Sequence, residues 1–166
     1  MVVMPATPTT VWGIDPSSKL IAIGVAPLDH DGVSTSSFAL LRDGQDGERL
    51  SSAANQMHRR FRHLAETHPP QVVWVEQPAG RVVMPVLSYL VGVLLATVFE
   101  ATSAPTFSLP PGKWKKPLLG NGNASKEVIA AWAREEGIGF HNQDEADAAG
   151  IAVVGRLMVR ERRFDV

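Results

Sequence analysis

Three short stretches in the first quarter of the chain follow a strand-like rhythm: Thr10 to Asp15, Leu20 to Pro27 and Val33 to Leu41. Turn-forming Pro16-Ser17-Ser18 and Asp29-His30-Asp31-Gly32 separate them, so the pattern predicts two hairpins in an antiparallel meander. The period then lengthens. Leu50, Ala54, Met57, Phe61 and Leu64 recur at helical spacing and leave Arg59, Arg60, Arg62 and His63 mostly on the other side, which predicts a helix over Glu48 to Thr67. Gln71 to Glu76 is Val-rich and bounded by Pro69-Pro70 and Pro78-Ala79-Gly80, as expected of a buried central strand running parallel to the first.

Val82 to Phe99 is almost continuously apolar and approaches the length of a membrane span. Pro85, Ser88, Tyr89 and Thr97 interrupt it, and the surrounding alternation is that of a water-soluble α/β protein, so it reads as a buried helix with Pro85 in its first turn. Ala104 to Leu109 supplies a fifth strand, ended by Pro110-Pro111-Gly112. A helix is expected from Ser125 to Glu136, stopped by Gly137. The last begins near Asp144, with Ala148, Ile151, Ala152, Gly155, Met158 and Val159 on one close-packing face. This order predicts an α/β fold: a mixed five-stranded sheet, its first three strands antiparallel, with helices on both faces. Residues 10–163 read as one domain behind a disordered Pro- and Thr-rich lead over 1–9.

Composition narrows the chemistry. Sixteen basic against seventeen acidic side chains leave a formal charge of -1, so any affinity for nucleic acid must come from a local basic stripe. The absence of cysteine excludes disulfides, thiolate-bound zinc and a cysteine nucleophile, and suits a reducing cytoplasm.

The acids are placed unusually. Asp15 ends the apolar run Val11-Trp12-Gly13-Ile14, and Glu76 ends Val72-Val73-Trp74-Val75. With those strands adjacent, two carboxylates lie side by side and repel unless a cation is shared between them. Asp144 and Asp147, at i and i+3, add two more on one face of a helix N-terminus. Taken singly, Asp15 before Pro16-Ser17 reads as a turn residue and Asp144 as a helix cap; Glu76 has neither role to play. An all-oxygen set suits Mg²⁺ or Mn²⁺, and two such ions about 4 Å apart can activate a water and stabilise the leaving 3′ oxygen in phosphodiester cleavage.

Ala101 to Lys126 holds no acidic residue, while Lys113, Lys115, Lys116 and Lys126 cluster there with Trp114 and several glycines. This reads as a basic loop able to follow a phosphate backbone, or as a plain solvated loop. Arg156, Arg160, Arg162 and Arg163 on the last helix read as a solvated face. His58, His63, His68 and His141 lack zinc-ligand spacing and read as surface residues, His141 alone standing near an acid. Trp12, Trp74 and Trp132 read as core.

Gly13-Ile14-Asp15-Pro16-Ser17, Val75-Glu76-Gln77 and Asp144-Glu145-Ala146-Asp147-Ala148-Ala149-Gly150 resemble, in the same order, the motifs of the RuvC Holliday-junction resolvases. Trp114-Lys115-Lys116 and Gly120-Asn121-Gly122-Asn123-Ala124-Ser125-Lys126 are similar to that family's basic loop and its lead into a lysine-bearing helix. The resemblance implies an RNase H-like fold, a homodimer, catalysis by divalent metal and paired nicks across a four-way DNA junction. By position it implies Asp15, Glu76, Asp144 and Asp147 as metal-binding acids, and Lys115 and Lys126 at the phosphate near the scissile bond. Glu145 matches no catalytic position. The family's aromatic wedge after Glu-Gln has no counterpart in Pro78-Ala79-Gly80-Arg81, which keeps flaps and forks open as substrates beside the junction. Two other readings stay open: an RNase H-like module that binds branched DNA without cutting it, and an RNA-directed relative.

Overall fold

The computed structural model describes residues 9–17, 20–39, 46–77 and 85–161. Strands β1 (Thr10–Pro16), β2 (Leu20–Pro27) and β3 (Ser34–Ala39) form the expected meander. Helix α1 (Asp46–Thr67) leads to β4 (Pro70–Glu76), and α2 (Pro85–Thr102) leads to β5 (Thr106–Leu109). Both later strands run parallel in the sheet, giving the order β3-β2-β1-β4-β5 with β1 at the centre. Helices α3 (Pro111–Leu119), α4 (Lys126–Glu135) and α5 (Gln143–Arg160) complete the chain.

Period-two alternation sorts the side chains of the sheet into two cores. Trp12, Ile14, Ile21, Ile23, Val73 and Val75 face α1 and α2, where they meet Phe61, Met57, Leu90 and Leu94. Val11, Val72 and Trp74 face the other way, against Trp114, Ile129, Ile151 and Val154 of α3, α4 and α5. Helices therefore cover both faces, and α2 is buried on one side as its apolar run predicts. Among the described residues no helix is long and apolar enough to cross a membrane.

Helix α5 lies directly on β1 and β2 because Gly13 and Gly24, paired across those strands, remove two side chains from its path. A Cβ on Gly13 would stand 2.4 Å from the Ala148 carbonyl oxygen, and one on Gly24 would stand 2.5 Å from the same atom. The facing helix is correspondingly small-chained, with Ala148, Ala149 and Ala152 fully buried.

The principal correction to the sequence reading is α3. The segment carrying Lys113, Lys115 and Lys116 is a helix, not a loop. Pro111 occupies the start of the helix, where its missing N–H costs nothing, Trp114 anchors the turn by complete burial, and Gly120 ends it at φ 73°, donating its N–H to Lys116 O at 2.8 Å. Prolines that read as a break thus open an element, and a third, Pro117, is tolerated inside it. Smaller differences concern the ends: the fifth strand is the shorter Thr106–Leu109, and Leu40 and Leu41, assigned from sequence to the third strand, lie outside the described residues.

Candidate active site

The alternation that builds the cores also aims the acids. Asp15 shares its face of β1 with Val11 and Gly13, and Glu76 shares its face of β4 with Val72 and Trp74, so both point toward α5. The β1–β4 register pairs Ile14 with Val75, which puts Asp15 and Glu76 together at the carboxyl ends of two parallel strands. Helix α5 brings its first turns over the same place. Its N-cap is Asn142, whose side chain accepts from Glu145 N, so Asp144 is not the cap; nor is Asp15 a turn residue, since it pairs with Ala22 inside the sheet.

Carboxylate oxygens of Asp15, Asp144 and Asp147 lie within 4.8 Å of one another. Asp15 and Asp147 are buried, and Oδ1 of Asp147 has no hydrogen-bond partner within the protein. The positive charge facing the cluster is Lys126, the first residue of α4, whose Nζ lies 2.5 Å from Asp144 Oδ1 and 3.8 Å from Asp147 Oδ2. Burial, then the neighbouring charges of Glu76, Asp147 and Asp144, push the Asp15 carboxyl up to about 8 against the pull of Lys126. Burial likewise pushes Asp147 up to about 6, although Lys126 and Lys115 oppose it. A buried oxygen without a donor, beside carboxyls raised by burial and then by mutual repulsion, is a site short of positive charge. The donor set is all oxygen and fits a hard divalent cation.

Glu76 stands at the edge of this group with a different partner. Its Oε2 accepts a 2.7 Å hydrogen bond from Nε1 of the fully buried Trp114. Burial raises the Glu76 carboxyl, while that indole and the charges of Lys115 and Lys126 pull it down. Lys115 sits with Nζ 5.4 Å from the Trp114 ring centroid and donates to Ala124 O at 3.3 Å. Lys113 and Lys116 are exposed on the same short helix. An apolar cleft of about 400 Å³, lined by Pro16, Glu76, Val91 and Phe107 among others, opens beside Glu76.

Sequence reasoning missed two residues. Trp114, which stands among the lysines of the basic stretch in sequence, is core. Glu145 matched no site position, yet the residue is 2% exposed and its carboxylate is bound from several sides. Burial raises its carboxyl, but hydrogen bonds from Ser37, the His141 backbone and ring, and Thr35 outweigh that and hold it below the usual range. His141, though near Asp144 in sequence, has its Nδ1 3.3 Å from Glu145 Oε2. Arg156 also departs from expectation: it is buried, and its guanidinium donates to the carbonyls of His30, Asp31 and Gly32 at 2.9 to 3.0 Å. Pro78 to Arg81, where the wedge would stand, and Arg162 and Arg163 lie outside the described residues.

No protein-family model matches this chain, and neither does any curated protein sequence. Solved structures do. Thermus thermophilus RuvC superposes with a TM-score of 0.74 at 24% identity, over 92% of this chain and 96% of that one. The same organism's RuvC in complex with a Holliday junction substrate gives 0.70 at 24% identity over the same shares. The fold is that of the RuvC resolvases. The yeast mitochondrial Holliday junction resolvase Ydc2 follows with a TM-score of 0.59 at 20% identity, covering 98% of this chain and 84% of its own. The RuvC-type fold, with its 3-2-1-4-5 sheet, thus extends over 92% of this chain, and the acid cluster lies at the carboxyl end of the central strand.

Proposed function

We propose that this protein is a divalent-metal-dependent endonuclease that hydrolyses phosphodiester bonds in branched DNA, with the four-way Holliday junction as its foremost substrate. The observation that carries the reading is the convergence of Asp15, Asp144 and Asp147 carboxylate oxygens within 4.8 Å, in a group where Asp147 also holds a buried, unpartnered oxygen. These three, with Glu76 beside them, would hold two Mg²⁺ or Mn²⁺ ions. When bound, such ions supply activation of the attacking water and stabilisation of the leaving oxygen. The chain's own residues orient and neutralise. Lys126 offsets the acids in the absence of metal and faces an incoming phosphate from the start of α4. Trp114 fixes the Glu76 carboxylate, and Lys115, with the exposed Lys113 and Lys116, offers point charges for the backbone flanking the cut. Support for a junction comes from the fold neighbours, one of which is described in complex with a Holliday junction substrate.

Symmetric cutting of a junction calls for two sites, and α2 offers a surface for self-association. Tyr89, Gly92, Ala96 and Phe99 form an exposed stripe at helical spacing, with Tyr89 61% and Phe99 58% exposed and open space over Gly92. An exposed apolar ridge with small residues between its aromatics suits close approach of a second α2. The expected homodimer is checked by light scattering, with Phe99→Asp giving monomers.

The deciding experiment incubates the protein with Mg²⁺ or Mn²⁺ and a panel of junction, flap, fork, duplex and RNA–DNA hybrid. Paired nicks in the junction, lost in Asp15→Asn and Asp147→Asn, are expected. Metal-dependent cutting retained in either variant would overturn the assignment. Tight junction binding without cutting by the unaltered protein would return it to the class of binding modules.

A further inference from the structure

Glu145 sits between Asp144 and Asp147 in sequence but faces away from them. Successive helical residues turn by about 100°, so Asp144 and Asp147 share one side of α5 while Glu145 projects toward β3, an edge strand. There its Oε1 accepts from Ser37 Oγ at 2.7 Å, and its Oε2 accepts from His141 N at 2.8 Å. Thr35 Oγ1 lies 3.2 Å from Oε2, and its proton is shared with the Gly139 carbonyl at 2.7 Å. Asn142 closes the group: its Nδ2 donates to Ser37 Oγ at 3.1 Å while its Oδ1 accepts from Glu145 N at 2.9 Å. One carboxylate therefore ties the lead-in, the N-cap and the first turn of α5 to the edge of the sheet.

Such a tether has a geometric use. The body of α5 is seated by the contact of Ala148 with Gly13 and Gly24, but its first turn precedes that contact and lacks the backbone hydrogen bonds that hold a helix interior. Asp144 lies in that first turn. Removing the carboxylate would leave Ser37 Oγ, Thr35 Oγ1 and His141 N short of an acceptor, so the tether contributes to stability as well as to the placement of this turn. We propose that Glu145 is a positioning residue, which fixes the rotation of the first turn of α5 so that Asp144 and Asp147 meet Asp15 in a geometry that binds a divalent cation. The inference rests on the reading of those acids as metal ligands.

The test measures Mn²⁺ affinity of the DNA-free protein by paramagnetic resonance of the unbound ion, with metal-free melting temperature recorded in parallel. Glu145→Gln keeps the shape of the side chain but turns an amide N–H₂ toward donors; Ser37→Ala removes a donor to Glu145 from β3, a strand paired with neither β1 nor β4, which carry Asp15 and Glu76. Affinity is expected to fall roughly 10- to 100-fold in Glu145→Gln, the range seen when groups that orient metal ligands are removed. It should fall less, but measurably, in Ser37→Ala. Junction cleavage in both should recover at saturating Mn²⁺ with an unchanged KM for DNA. Wild-type Mn²⁺ affinity in both variants, whatever happens to melting, overturns the proposal, and if Glu145→Gln does not fold then Ser37→Ala decides alone. Failure of the underlying reading looks different: the unaltered protein would then bind Mn²⁺ no better than Asp147→Asn does.

Discussion

The indole nitrogen of Trp114 donates to the carboxylate of Glu76 across 2.7 Å, joining the helix that sequence reading took for a loop to the strand that carries one of the candidate acids. Trp114→Phe keeps an aromatic ring in the core but deletes the donor, leaving a half-buried carboxylate oxygen without its partner. A loss of about 1–3 kcal/mol in stability is expected, together with a cleavage rate on junction DNA lowered roughly tenfold or more. Chemical denaturation and a single-turnover assay check the two effects separately, and an unaltered rate would mean that the bond does not orient Glu76.

Gly13 admits α5 to the sheet, so a methyl there should disturb the site as well as the core. Its Cβ would meet Ala152 N at 2.3 Å and Ala148 O at 2.4 Å, both backbone atoms that cannot swing aside. Gly13→Ala is expected to cost about 1–3 kcal/mol or more through overpacking and to weaken Mn²⁺ binding by shifting Asp147 away from Asp15. Differential scanning calorimetry and a Mn²⁺ titration test this, and a wild-type melting temperature would contradict the packing argument.

Metal-free protein should lose stability as pH rises. Asp15, ordinarily near 3.8, is pushed up to about 8 in the fold, so between those values the folded state holds a proton that the unfolded state releases. Raising the pH through that window favours unfolding, and Asp147, pushed up to about 6, adds in the same direction over its own range. Melting temperature in EDTA should therefore decline from about pH 5 to pH 8 through these groups, and saturating Mg²⁺ or Mn²⁺ should restore it most at the upper end. Asp15→Asn should flatten the decline, and an equal slope in that variant would argue against the assignment.

Arg156 illustrates a purely structural use of charge. It gathers carbonyls of the β2–β3 turn around one buried guanidinium, while Arg160 binds Leu28 O, His30 O and the Asp31 carboxylate beside it. Arg156→Met should destabilise the fold by about 1–3 kcal/mol, because those acceptors lose charged donors. Cleavage at a temperature well below melting should stay within about twofold, since the β2–β3 turn lies beside the amino end of β1, at the opposite end of that strand from Asp15. Hydrogen exchange should localise the loosening to residues 28–33, and uniform loosening across the sheet would contradict this account.

The elements with strong periodicity were legible because their signal is local. The apolar strand Val11-Trp12-Gly13-Ile14 ending in Asp15 and the helical recurrence of Leu50, Met57, Phe61 and Leu64 follow from backbone geometry and burial over a few residues, and the structure contains both as read. The position of Asp15 and Glu76 at strand ends, and of Asp144 and Asp147 one turn apart, belonged to the same local code. Helix α3 was not legible, because Pro110-Pro111-Gly112 and Pro117 suit both a break and a helix start, and only the burial of Trp114 chose between them. The solvated reading of Arg156 failed for a related reason: the acceptors that bury it lie more than 120 residues earlier in the chain.

What the chain declares unaided is which residues alternate, which recur and where charge interrupts apolar runs, since these depend on neighbours in sequence. Which acids actually converge, that Glu76 is held by an indole, and that Glu145 is an anchor rather than a bystander were decided in three dimensions. Those outcomes turn on strand register, on the glycine pair that admits α5 and on the rotation of its first turn, and each of these is set by contacts between residues far apart along the chain.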